Sequence, residues 1–224
     1  CTQNSGAALN IAESSPELYD CLFENNRSAL NGGAVRCDGN SGTGLNGTFN
    51  NCQFIGNSVS ASEGGPASGP GGAVSILDQQ TAVTFNGCRF ENNRGTKGGA
   101  VASINANIST TFTGCEFTGN TAQAGGAFHS AFSPLNFITN CTFENNTATD
   151  NTGGGAMYLN AYIPDDSIRD NTFCGNCDGS GCGTTDQVAP LFDSGQIDNI
   201  ESLNEFAISC GGPTGACCVG GECT

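Results

Sequence analysis

Over residues 1–180 apolar positions alternate with polar ones in short runs and never settle into helical spacing. In Thr81-Ala-Val-Thr-Phe-Asn-Gly-Cys-Arg-Phe90, Val83 and Phe85 fall on one side. After an irregularity at Asn86-Gly87 the same side takes Cys88 and Phe90. A period of two predicts a strand with one buried face. The shorter run Gly72-Ala-Val-Ser-Ile76 predicts a second strand after a Gly-Gly turn. Helical repeats need a 3.6-residue apolar period over roughly ten or more residues, and this stretch has none.

The alternation recurs as a motif, C-x-F-x-x-N. It appears from Cys21, Cys52, Cys88, Cys115 and Cys141, and a sixth copy starting at Asn171 has Asn in place of Cys. The starts lie 31, 36, 27, 26 and 30 residues apart. A second motif, G-G-A plus an apolar residue, sits between the copies at Gly32–Val35, Gly71–Val74, Gly98–Val101, Gly125–Phe128 and Gly154–Met157. Ser5-Gly-Ala-Ala8 is a worn first copy. Repeats of this length predict one solenoid coil each, because a single coil cannot bury its own apolar face and a stack can. A leucine-rich repeat needs a Leu ladder, and a propeller blade needs about 40 residues or more. The expected fold is all-β: a right-handed single-stranded parallel β-helix of about six or seven coils over residues 1–182. A Cys-rich C-terminal cap and tail is expected over 183–224. At about 4.8 Å per coil the solenoid is roughly 30 Å long.

Each motif position then acquires a role. Phe23, Phe54, Phe90, Phe117, Phe143 and Phe173 form an inward ladder. Asn26, Asn57, Asn93, Asn120, Asn146 and Asn176 end each motif at a corner, where Asn tolerates a left-handed backbone and can hydrogen-bond up the stack. Cys21, Cys52, Cys88, Cys115 and Cys141 read mainly as small buried apolar residues. Their alternative is a metal-binding thiol ladder, which lacks an accompanying His.

The pattern breaks at residues 38–48 and 58–70, two Gly-rich stretches read as exposed loops. After Asn176 the motif ends. Ile197, Ile200, Leu203 and Phe206 allow two readings of residues 194–207: a short helix across the last coil, or a last irregular coil. Cys174, Cys177, Cys182, Cys210, Cys217, Cys218 and Cys223 lie in irregular sequence and read as disulfide partners. A zinc site from Cys174, Cys177, Cys182 and Cys210 is the alternative.

Composition narrows the partners. The 224 residues hold 6 Lys plus Arg against 21 Asp plus Glu, a formal net charge of -15. Nothing cationic is available to replace phosphate counterions, so nucleic acid is excluded as a partner, and so is an anionic membrane surface. No run is long enough to span a bilayer, and no membrane insertion is expected. Fourteen Cys with abundant Asn, Ser and Thr suit an oxidising, extracellular or cell-surface place. No leader pattern precedes Cys1, so the sequence reads as processed or trimmed, and the tail hints at a continuation past Thr224.

Candidate chemistry is sparse. Asp165, Asp166 and Asp170 with Arg169 are the nearest thing to a carboxylate site for polysaccharide cleavage, and they read as a solvated turn. His129 is the only histidine. Glu24, Glu91 and Glu144 at the corners are weak Ca²⁺ candidates, and no other cofactor is expected. Sequons at Asn46, Asn107, Asn140 and Asn145 are possible glycosylation sites, and a fifth at Asn26 falls on a ladder position.

The paired motifs, G-G-A-[VIF] with C-x-F-x-x-N, resemble the chlamydial polymorphic outer-membrane protein repeat and related repeats of secreted bacterial β-helix proteins, over about residues 5–176. The resemblance implies the surface-exposed passenger region of an autotransported adhesin. The tail Gly215-Ala-Cys217-Cys218…Cys223 resembles small modules of secreted bacterial proteins. The expected function is an extracellular structural scaffold that assembles head-to-tail with copies of itself, or contacts other surface proteins or glycans. An adhesin passenger and a carbohydrate-active β-helix enzyme are the alternatives.

Overall fold

The computed structural model describes residues 2–39, 44–60, 65–77, 81–105, 108–132, 135–151, 153–160, 164, 166–182, 187–189, 200–207, 218–219 and 222–223. They form a parallel β-solenoid of about six turns. Three stacked sheets make its walls. Sheet I holds Leu9–Ala12, Val35–Asp38, Val74–Leu77, Val101–Ile104, Phe128–Ala131, Met157–Asn160 and Val188–Ala189. Sheet II holds Glu17–Tyr19, Leu45–Asn50, Thr81–Asn86, Ser109–Thr113, Leu135–Thr139 and Ile168–Arg169. Sheet III holds Leu22–Glu24, Gln53–Ile55, Arg89–Glu91, Glu116–Thr118, Thr142–Glu144, Thr172–Cys174 and Glu205–Ala207. Short parallel pairings such as Arg27–Asn31 with Ser58–Val59 and Thr121–Ala122 with Thr147–Ala148 close each turn.

Register follows the motif. Phe54, Phe90 and Phe117 pair in line, as do Val74, Val101 and Phe128. Each coil therefore presents the same side chain at the same place, and the core is a set of like-on-like columns. The Phe column runs Phe23, Phe54, Phe90, Phe117, Phe143, Phe173, Phe206, with centroids 4.6–4.9 Å apart and rings within 10° of parallel. A second column, Phe49, Phe85 and Phe112, stacks at 5.1 Å and meets the first edge-on. Offset stacks and edge contacts are the two arrangements that aromatic quadrupoles favour.

The turns explain the glycine pairs. Gly98 has φ +61, and a Cβ on the next residue, Gly99, would collide with the Gly126 carbonyl of the following coil. The chain turns there because two residues without side chains let adjacent coils touch through their backbones.

The stack also departs from expectation in three places. Left-handed backbone falls on the residue before each ladder Asn: Asn25, Gly56, Asn92, Gly119, Asn145 and Gly175, with φ between 52 and 64. The ladder Asn itself is absent from that set, because its backbone N–H must face the next coil. Ser58–Val59 is strand rather than loop, and Ser60 bridges Ala67 to close the insertion on itself. At the C-terminal end both readings hold in part. Residues 200–203 are helical, and Glu205–Ala207 then joins sheet III, with Phe206 4.7 Å from Phe173. The sheets thus run on past residue 182.

Candidate functional site: an asparagine ladder and a thiol column

Two polar columns run up the stack between the aromatic ones. In the first, each ladder Asn from Asn57 to Asn146 bonds groups of both neighbouring coils. Asn120 Nδ2 donates to the Phe90 carbonyl of the preceding coil at 2.9 Å and to Asn146 Oδ1 of the next at 2.9 Å. Asn120 Oδ1 accepts the Asn93 backbone N–H at 3.0 Å. The pattern repeats at Asn57, Asn93 and Asn146. It ends where Asn176 Nδ2 donates to Gln187 Oε1 at 2.8 Å. At the other end Asn26 Nδ2 donates to Asn57 Oδ1. These amides are buried from Asn57 to Asn176, so they meet backbone groups that water cannot reach.

The second column holds the cysteines, and it copies the first. Cys88 Sγ lies 3.4 Å from the Phe49 carbonyl, and Cys115 Sγ lies 3.4 Å from the Phe85 carbonyl. Cys141 Sγ accepts the Cys115 backbone N–H at 3.4 Å. In the next coil the same place holds Asn171, which accepts the Cys141 N–H at 2.8 Å and donates to the Ile138 carbonyl at 2.8 Å. Asn204 continues the column, accepting from Asn171 and donating to the Ile168 carbonyl. The thiols therefore do more than fill space: they occupy hydrogen-bonding places that Asn takes over in the last two coils.

Neighbouring thiols stand on successive rungs. The carbonyls of Cys21, Cys52, Cys88 and Cys115 accept the backbone N–H groups of Gln53, Arg89, Glu116 and Thr142, the residues that follow the next cysteines. Burial pushes the Cys52 thiol up to about 11. Interaction with the Cys141 and then the Cys88 thiol raises Cys115, while the Cys115 thiol lowers Cys88 and Cys141. All five are free thiols. Four are buried and Cys21 is half-exposed. A sixth free thiol among the described residues, Cys37, stands outside the motif. It stacks between Ile11 and Ile76, and burial pushes it up to about 12.

The C-terminal cysteines differ. Cys177 and Cys182 form a disulfide, and Cys174 is disulfide-bonded as well. Three of the four thiols suggested for zinc are thus consumed; Cys210 and Cys217 lie outside the described residues. The backbones of Cys218 and Cys223 pair in an antiparallel hairpin. Among the described residues no group of three or more His, Cys, Asp or Glu is arranged to hold a metal ion.

Several candidates stay apart. Glu24, Glu91 and Glu144 share a column of sheet III, but Ile55 and Thr118 separate them, so they sit in alternate coils about 10 Å apart. Glu144 instead faces Glu116, Thr118 and Thr142 across a shallow cleft of about 270 Å³. Asp170 pairs with Arg169 at 2.5 Å and lines a cleft of about 420 Å³ with Asn204 and Glu205; Asp166 is exposed and Asp165 lies outside the described residues. His129 is buried on the outward side of sheet I, stacked 4.8 Å from Tyr158. Burial, then the nearby Lys97 charge, lowers it to about 4, and no hydrogen-bond partner meets its Nδ1. Asn46, Asn140 and Asn145 are exposed, the last two at left-handed corners with φ 54 and 52. Asn107 lies outside the described residues.

Residues 20–38 match the family model of the Chlamydia polymorphic membrane protein repeat. The match takes in the first C-x-F-x-x-N motif and the first full G-G-A-V motif, with the turn that joins them. No curated protein and no solved structure matches the chain.

Proposed function

We propose that this chain is a surface-exposed scaffold of the passenger type, a β-solenoid whose work is to hold a regular outer surface away from its anchorage. The single observation that carries this reading is the unbroken like-on-like stacking from Phe23 to Phe206, which spends the sequence on length and stiffness and not on a converging pocket. The repeat match at residues 20–38 supports an outer-membrane or cell-surface place. The strong negative charge keeps such a surface soluble. Among the described residues no helix is long and apolar enough to cross a membrane. The reading is non-enzymatic: Arg169, the one basic group among the candidate carboxylates, is tied to Asp170.

Adhesion is the finer form of this reading. Phe132 and Phe137 are 64% and 45% exposed, and a partner would bury them. Head-to-tail assembly is the other. Among the described residues the strands Leu9–Ala12, Glu17–Tyr19 and Leu22–Glu24 each pair on one side, the arrangement that strand addition extends. An antibody raised against the chain should label intact source cells, and external protease should remove the label; a signal seen only after lysis sinks the surface reading. Light scattering and electron microscopy of the chain, beside a version with a charged cap fused before Cys1, separate the assembly form. Filaments only without the cap support it, and monomers in both remove it.

A further inference from the structure

The thiol column is the part of the molecule that the scaffold reading leaves unused. Five free thiols stand in file, one on each successive rung: Cys21, Cys52, Cys88, Cys115 and Cys141. A file this regular follows from the parallel register, which sets rungs about 4.8 Å apart. Thiolate sulfur is soft and selects soft cations such as Cu(I) over hard ones. Successive rungs offer sulfurs in pairs, which suits a soft cation that accepts two ligands. We propose that the column binds soft monovalent cations, Cu(I) or Ag(I), each held between the sulfurs of two successive cysteines.

Charge favours filling the whole file. Two thiolates around one monovalent cation leave a net negative charge in a dry interior, which is costly. Each further cation added with one further thiolate is neutral. Five thiols make four neighbouring pairs, so a full file takes four cations, releases five protons and keeps one net negative charge. No electron moves and no disulfide forms. Entry is provided at two kinds of place. Cys21 is half-exposed at one end of the file. Cys88 and Cys115 each follow an exposed corner glycine, and the space beside Gly114 is open to 4 Å.

Cys37 supplies an internal control, because its column neighbours are Ile11 and Ile76 and it has no second sulfur to share a cation. The arrangement therefore makes a counting prediction. Removing an interior thiol destroys two neighbouring pairs, removing a terminal one destroys one, and removing Cys37 destroys none. The experiment is an anaerobic titration of the full chain with silver(I), bound ions being counted by native mass spectrometry and protons by pH-stat. Other thiols contribute equally to every variant and cancel. Cys115→Asn, which keeps the hydrogen bonds that Asn171 makes in the same column, should bind two ions fewer than the parent. Cys141→Ala should bind one fewer and Cys37→Ala the same number. If Cys115→Asn does not fold, Cys88→Ala carries the same two-ion loss. Equal losses from interior, terminal and Cys37 variants, or a parent whose uptake none of them changes, would overturn the proposal.

Discussion

Asn171 Oδ1 receives the backbone N–H of Cys141 at 2.8 Å, and Cys141 Sγ receives the backbone N–H of Cys115 at 3.4 Å. One structural duty passes along the column from a thiol to an amide. The amide performs it with the shorter bond, since sulfur is the weaker acceptor.

Exchange within that column should therefore be mild where exchange for an apolar residue is not. Cys141→Asn is expected to change stability by less than about 1 kcal/mol, because Asn fits the same place one coil on. Cys141→Val matches the buried volume more closely, yet it leaves the Cys115 N–H unmet at a cost of about 1–3 kcal/mol. Urea unfolding of the two variants decides the order. A Val variant as stable as the Asn variant would show that packing alone governs the column.

The asparagine ladder should be less forgiving. Asn120→Ala removes the acceptor for the Asn93 N–H and the donor to the Phe90 carbonyl, both in the buried stack. Two unmet backbone groups cost roughly 2–6 kcal/mol together. The corner residue Asn92 makes the contrast. It is exposed with φ 54, and its counterparts in the neighbouring coils are Gly56 and Gly119. Asn92→Gly should thus leave the melting temperature nearly unchanged. Comparable losses from both substitutions would mean that corner conformation, not ladder bonding, sets the stability of the coil.

The Phe column offers a test of packing alone. Phe117 is fully buried, with Phe90 at 4.7 Å and Phe143 at 4.6 Å. Phe117→Ala should cost about 3–5 kcal/mol. Thr118, the next residue, points outward, and Thr118→Ala should stay within about 0.5 kcal/mol. Denaturant midpoints that shift equally for the pair would contradict the inward assignment.

How much of this was legible depends on how far a residue's role repeats. The Phe and Asn columns could be read because a period of two gives the face and the motif gives the rung; Cys88 and Phe90 point inward as the alternation requires. The left-handed residue was misplaced by one because Asn and Gly alternate there, at Asn25, Gly56 and Asn92, so no single letter marks it. The hydrogen bonding of the thiols was hidden because cysteine is equally at home as a small apolar residue; only Asn171 and Asn204 in the same column reveal the duty. The last rung was legible only as one of two readings, because Phe206 and Asn204 come after a helical turn and without the motif around them. Cys37 and the buried pair Ser130 and Asn136, bonded at 2.8 Å inside the core, carry no repeat signal at all.

The single histidine gives the molecule a pH dependence whose sign is fixed by its surroundings. His129 is 3% exposed, lies against Tyr158, and feels the positive charge of Lys97; its value is lowered from 6.5 to about 4. The folded chain thus keeps this imidazole neutral at pH values where the unfolded chain has already taken up a proton. Its contribution to stability is fully present above pH 6.5, falls as the pH drops from 6.5 toward 4, and falls no further below that. Within that window the slope is about 1.4 kcal/mol per pH unit. The total is roughly 3 kcal/mol. Carboxylates titrate over part of the same range, so the measurement must be a difference. His129→Phe keeps an aromatic ring against Tyr158 and has no proton to gain. Urea unfolding of parent and variant at intervals from pH 7 to pH 4 should show the parent losing stability relative to the variant as acid is added. A difference that stays flat across the window would show that the buried imidazole is protonated in the folded chain as readily as in the unfolded one.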